Sequence, residues 1–132
     1  MTWQNKLLLK IKHEKKKKSL MPNIENQLLY IVKSWYKPIS GEKYVHWIKT
    51  KHIPEVLQVP GFNSAQLIRL EQNDGNGWPG IVVLYGLRDQ TALDNYIKSS
   101  VRIKFMEQLN LMKNIHYSER FWGNIDISIL ND

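Results

Sequence analysis

The sequence predicts an α+β domain, a four-stranded antiparallel sheet built in the order β-α-β-β-α-β. Three observations carry the prediction. Four segments have strand character: Leu28 to Tyr36, Phe62 to Glu71, Ile81 to Leu87 and His116 to Leu130. The stretches that follow the first and third repeat apolar residues at three- and four-residue steps, the spacing of a helix face. The first and third strands are apolar on both faces, whereas the second and fourth are mixed. Right-handed crossovers put the first and third in the centre of such a sheet and the other two at its edges, which is the split βαβ or ferredoxin-like arrangement.

In chain order, residues 1–20 hold seven lysines against a single acid, Glu14. The run Lys15 to Lys18 repels itself and cannot be buried together, so residues 1–21 read as a basic, disordered leader and 22–132 as the folded domain. Met21-Pro22 is a plausible start of the mature chain. Leu28 to Tyr36 is rich in β-branched and aromatic residues, and Pro38 stops it. Ser40 is a candidate N-cap, with Glu42 in the positive first turn. Tyr44, Val45, Trp47, Ile48, His52, Val56 and Leu57 form one helix face, which Pro54 should kink or restart near Lys51–Ile53. Pro60-Gly61 turns the chain into the second strand. The glycine-rich stretch Gln72 to Gly80 is the hairpin loop that leads to the third. Thr91 and Asp94 resemble a capping box. Leu93, Tyr96, Ile97 and Val101 begin a second helix face that continues to Leu109, with a break at Ser99-Ser100. In the last strand, Tyr117, Phe121, Ile125, Ile127 and Ile129 share one parity. Ser118, Arg120, Asn124, Asp126 and Ser128 share the other, so one face is wet.

Composition narrows the function classes. The chain has 132 residues, one domain by length, and carries no cysteine. That removes disulfides, thiolate metal sites and a cysteine nucleophile, and it fits a reducing, cytoplasmic setting. No apolar run reaches the ~20 residues of a membrane span. The net charge of +7 belongs to the leader: beyond it the basic and acidic side chains nearly balance. A nearly neutral domain neutralises few phosphates. The third strand also lacks the basic and aromatic residues with which RNA-recognition modules stack bases, so both features argue against a nucleic-acid partner.

Two helices cover one face of the sheet. The apolar residues on the other face need a cover, and a second copy of the chain is the simplest, which predicts a homodimer through the open sheet face.

The run His46-Trp47 … His52-Ile53-Pro54-Glu55-Val56-Leu57 … Pro60-Gly61-Phe62 resembles the dimeric α/β-barrel superfamily. The match is with a small uncharacterised bacterial family bearing an H-W … H-I-P-E-V-L … G-F signature and, more distantly, with the branch named for ethyl tert-butyl ether degradation. The resemblance implies a dimeric barrel over about residues 28–130. Relatives by fold range from cofactor-independent monooxygenases and lactone isomerases to proteins with no known activity, so the fold does not choose a reaction.

His46 and His52 lie about 120° apart on a straight helix, not in the i, i+4 relation of a metal-binding pair, so no metal site is expected. No cofactor is implied. The functional reading of His52 is a general base at the mouth of a pocket between helix and sheet; the plain one is a cap for carbonyls freed at Pro54. His46 is a pocket residue or points to solvent. Trp47, Tyr85, Tyr30, Trp35 and Trp122 would line an aromatic pocket for a flat apolar ligand, or pack as core. Arg69 and Arg120 sit on edge strands, where they would bind an anionic group or be solvated. Two classes stay open: a small-molecule-binding protein, with cofactor-free oxidation or isomerisation through His52 as its catalytic form, and a non-enzymatic dimeric interaction module.

Overall fold

In the computed structural model, which describes residues 28–131, β1 (Leu28–Tyr36) pairs antiparallel with two neighbours. These are β3 (Gly80–Leu87) on one side and β4 (His116–Asn124) on the other. β2 (Phe62–Arg69) closes the far side of β3, giving the order β2-β3-β1-β4. The two strands with apolar residues on both faces are the central ones, as their sequences require. The lysine-rich leader and its boundary lie outside the described residues.

Period-two alternation sends Leu28, Tyr30 and Ser34 of β1 and Ile81, Val83, Tyr85 and Leu87 of β3 to one side. The helices pack there. Leu28, Ile81, Leu87, Tyr44, Val45, Leu93 and Phe105 are almost wholly removed from water. On the other side none of the described helices lies. There Ile31 stands between Leu84 and Phe121, and Trp35 lies between Gly80 and Tyr117.

The first helical region contains a turn that the sequence pattern does not announce. α1 (Glu42–Trp47) runs into a π-helical turn (Ile48–His52), and α2 (Ile53–Val56) follows. The Ile53 N–H reaches back five residues to the Ile48 carbonyl. The kink or restart expected near Lys51–Ile53 takes the form of a turn that widens by one residue just before Pro54, with the helix restarting at Ile53. A proline at 54 has no N–H to give, and the wider turn shifts the bonding pattern at the point where an ordinary helix would need one.

Both expected caps move. Gly41, not Ser40, is the N-cap of α1, and no side chain caps it. Gly41 N–H donates to the Lys37 carbonyl at 2.8 Å, and a Cβ on Gly41 would lie 2.3 Å from that oxygen, so the close approach selects glycine. Asp89, not Thr91, caps α3 (Gln90–Ile97): its carboxylate accepts from the Ala92 N–H at 2.9 Å. The expected break at Ser99-Ser100 is where α3 ends and α4 (Ser100–Asn110) begins, with the Ser99 hydroxyl accepting from the Arg102 N–H.

β4 also differs. Its ladder ends at Asn124, opposite Leu28, and residues 125–131 have no regular structure. Its polar parity faces the helices and its aromatic parity faces away. Register explains this: Ser118 stands opposite Ser34 and Arg120 opposite Val32. The inward serines are satisfied, since Ser34 Oγ lies 2.7 Å from the Tyr44 hydroxyl and 2.8 Å from Ser118 Oγ. Tyr44→Phe leaves Ser34, 1% exposed, with one partner fewer. It is expected to cost about 1–2 kcal/mol in urea unfolding, with the m-value unchanged.

Candidate functional site

The π-helical turn decides where His52 sits. Five residues of regular α-helix turn through about 500°, which would leave residues 47 and 52 about 140° apart. A turn whose hydrogen bonds span five residues brings them onto the same side. The Trp47 and His52 rings accordingly stack, with centroids 4.7 Å apart and planes at 21°. Phe105 of α4 meets His52 edge-on at 4.9 Å.

His52 is 8% exposed, and its Nδ1 is buried with no hydrogen-bond partner. Burial, and to a smaller extent the Arg120 charge, lowers its pKa to about 4. The imidazole is therefore neutral at physiological pH. With so low a proton affinity it serves better as a hydrogen-bonding group than as a general base.

His52 lines a narrow, largely enclosed chamber between helices and sheet, together with Tyr30, Phe62, Tyr85, Tyr96, Phe105 and Arg120. Its free volume is about 20 Å³, room for one water molecule. The rings interlock: Phe62 meets Tyr30, Tyr85 and Tyr96 edge-on at 5.0–6.5 Å. Burial raises the pKa of all three tyrosines, that of Tyr96 to about 12, so each hydroxyl keeps its proton and can donate.

The ligand-sized space lies next door. A cleft of about 710 Å³ opens between the end of α2 and the α3–α4 corner, bordered by Gln58, Pro60, Arg88, Asn95, Ser99 and Lys104. His52 does not reach it. Tyr96 and Phe105 line both the cleft and the chamber, so these two rings form part of the wall between them.

The residues singled out in the sequence are distributed as follows. His52, Tyr30 and Tyr85 line the chamber, and Trp47 forms its back through the stack on His52. Trp122, half exposed, stacks on Tyr30 at 5.9 Å with planes at 15°. His46 is exposed and apart from the chamber, and Trp35 lies on the helix-free face under the Lys33 ammonium. Sequence reasoning missed Tyr96, Phe105 and Arg102. It also missed the inward turn of Arg120, which the cross-strand partner Val32 would have signalled had the register been known. A second buried histidine, His116, stacks on Tyr44 at 4.0 Å and holds the Met112 carbonyl at 2.8 Å, a structural arrangement. Among the described residues no cluster of three or more histidines and carboxylates is placed to hold a metal ion. No described helix is long and apolar enough to cross a membrane.

Residues 27–118 match the family model described as a domain of unknown function, DUF4286. No curated protein matches the chain. Among solved structures, the chain is similar to a dimeric ferredoxin-like protein from an uncultured marine organism, with 10% identity, 80% of this chain and 100% of the other covered, and a TM-score of 0.62. It is similar to a Bacillus cereus protein provisionally described as an antibiotic biosynthesis monooxygenase, at 13% identity, 80% and 99% coverage and a TM-score of 0.57. A Bacillus halodurans protein of the ethyl tert-butyl ether degradation family follows at 10% identity, 73% and 96% coverage and a TM-score of 0.53. At these identities the likeness shows a shared ferredoxin-like fold.

Proposed function

The chain belongs to that family of unknown function, and from this premise we propose that it is a homodimeric small-molecule-binding protein. Its ligand is a flat apolar or aromatic metabolite taken up between helix layer and sheet. One observation carries the reading: an uncharged His52 with an unpartnered, buried Nδ1 lines an aromatic chamber that shares Tyr96 and Phe105 with a ligand-sized cleft. An orphaned ring nitrogen costs stability in the empty protein and gains a partner when a hydroxyl or amide ligand enters. In this reading His52 accepts or donates one hydrogen bond, Tyr30 and Tyr85 supply hydroxyl donors, and Trp47 and Trp122 supply apolar walls. His46, exposed, takes no part. The low proton affinity of His52 favours binding over proton abstraction.

The test is a thermal-shift screen of aromatic compounds, followed by NMR of the hits. A ligand should raise the melting temperature and perturb His52 and the Trp47 indole N–H. Hits that perturb only residues of the helix-free face would defeat the proposal.

The second half of the proposal is the dimer. On the helix-free face Ile31, Leu84 and Phe121 are cross-strand neighbours, and Phe121 is 48% exposed. Such an apolar strip at the centre of an open sheet is stabilised by a symmetric partner presenting the same strip. The dimeric marine neighbour of the same fold supports this. Purified protein is expected to run as a dimer at micromolar concentration in light scattering. Phe121→Glu is expected to shift it to monomer with its circular dichroism intact; a wild-type monomer would refute the arrangement.

A further inference from the structure

We propose that the ligand carries a carboxylate, held between the guanidinium groups of Arg102 and Arg120 beside the Tyr30 hydroxyl. This rests on the small-molecule reading above and names the chemical class of what enters.

Arg120 projects from β4 to the helix side of the sheet and lines the chamber with His52 and Tyr30. Arg102 stands in the first turn of α4, half-buried, and its Nε is shielded from water with no hydrogen-bond partner. Both guanidiniums stand close enough to the Tyr30 phenol, which is 5% exposed, for their charges and donors to oppose the rise that burial causes in its pKa. Among the described residues neither arginine has an acidic partner: the ion pairs are Arg69–Glu42, Arg88–Asp89 and Lys104–Glu55.

Two cations therefore bear on one neutral phenol, whose ring is flanked by Trp122, Tyr96 and Phe62. Like charges held together in a partly desolvated place repel, and buried guanidinium groups are normally neutralised. A phenol offers only lone pairs and no charge. Arginine's fork of donors matches the two oxygens of a carboxylate, which would supply both the missing charge and acceptors for donors such as the idle Nε. The field is felt across the chamber: the Arg120 charge lowers the proton affinity of His52, Tyr30, Tyr85 and Tyr96. Rings flank the place where the anion would sit, so an aromatic carboxylate fits it better than a bare inorganic ion.

The experiment uses the full chain, with benzoate, phenylacetate and salicylate as probes and benzyl alcohol as the uncharged counterpart. Binding is followed by calorimetry and by tryptophan fluorescence. At least one carboxylate should bind tenfold or more tightly than benzyl alcohol. Arg102→Gln and Arg120→Gln should each remove at least tenfold of that affinity and leave benzyl alcohol unaffected. Without ligand, both variants should melt at the wild-type temperature or above, because each removes a charge that nothing neutralises. Benzyl alcohol bound as tightly as the carboxylates would overturn the carboxylate site and leave the small-molecule reading standing. No binding of any of the four would overturn both. Carboxylate affinity that survives in both arginine variants, with a lowered melting temperature, would show that the arginines are structural and overturn the proposal.

Discussion

Gly61→Val is expected to be among the most damaging single substitutions in the described part of the chain. Gly61 has φ +91°, and a Cβ built on it would lie 2.3 Å from the Cβ of Ala92 in α3. The left-handed backbone alone costs a side-chain-bearing residue roughly 1–2 kcal/mol, and forcing atoms into a packed place costs about 1–3 kcal/mol more. The damage would spread, because the Gly61 carbonyl accepts the Arg88 N–H at 2.9 Å and Phe62 next to it is the ring that meets three chamber tyrosines. A fall in melting temperature of more than about 10 °C is expected. Gly75→Ala is the control: a Cβ there meets nothing within 4 Å, and its melting temperature should not change by more than about 2 °C.

Acid should weaken the fold, and His52 should be the main reason among its histidines. Its native pKa is about 4, below the ~6.5 of an unfolded histidine, because burial first and the Arg120 charge second oppose protonation. Above about pH 6.5 both states are neutral at this residue, and its contribution does not vary. As pH falls from there toward 4, the unfolded chain takes up a proton that the native chain refuses, so stability is lost; below that the contribution levels off. The depression corresponds to about 3 kcal/mol. His116, also lowered mainly by burial, acts in the same direction. Urea unfolding at pH 7 and pH 4.5 should show the loss, and His52→Gln should remove most of the difference between those two pH values. An unchanged difference in His52→Gln would mean that the native ring is not held neutral.

The order of elements was legible because each signal was independent of the others. Strand character, helix spacing and the split between strands apolar on both faces and mixed strands all required β1 and β3 in the centre, where they are. The helix break at Ser99-Ser100 was legible for a local reason: serine caps by itself. What the sequence withheld depended on register or on exceptions to period. Apolar steps of three and four presume an α-helix, so the meeting of Trp47 with His52 could not be read before the wide turn was known. Arg120 shares its parity with Ser118 and Asn124, and polar neighbours made that parity look wet; only the pairing with Val32 turns it inward. Tyr96 and Phe105 read as ordinary helix-face residues, and only the folding back of α4 makes them a partition.

The π-helical turn at Ile48–His52 makes this stretch intolerant in length while leaving its letters comparatively free. Lys49, Thr50 and Lys51 are exposed, and apart from the Thr50 hydroxyl, which donates to the His46 carbonyl at 2.7 Å, exchanging them touches little. Removing any one of them would tighten the coil into a regular helix, swing everything after it by about 100° and drive the ring of Pro54 against the carbonyl four residues earlier. Insertions and deletions, more than substitutions, are therefore the genetic changes that this part of the molecule cannot absorb.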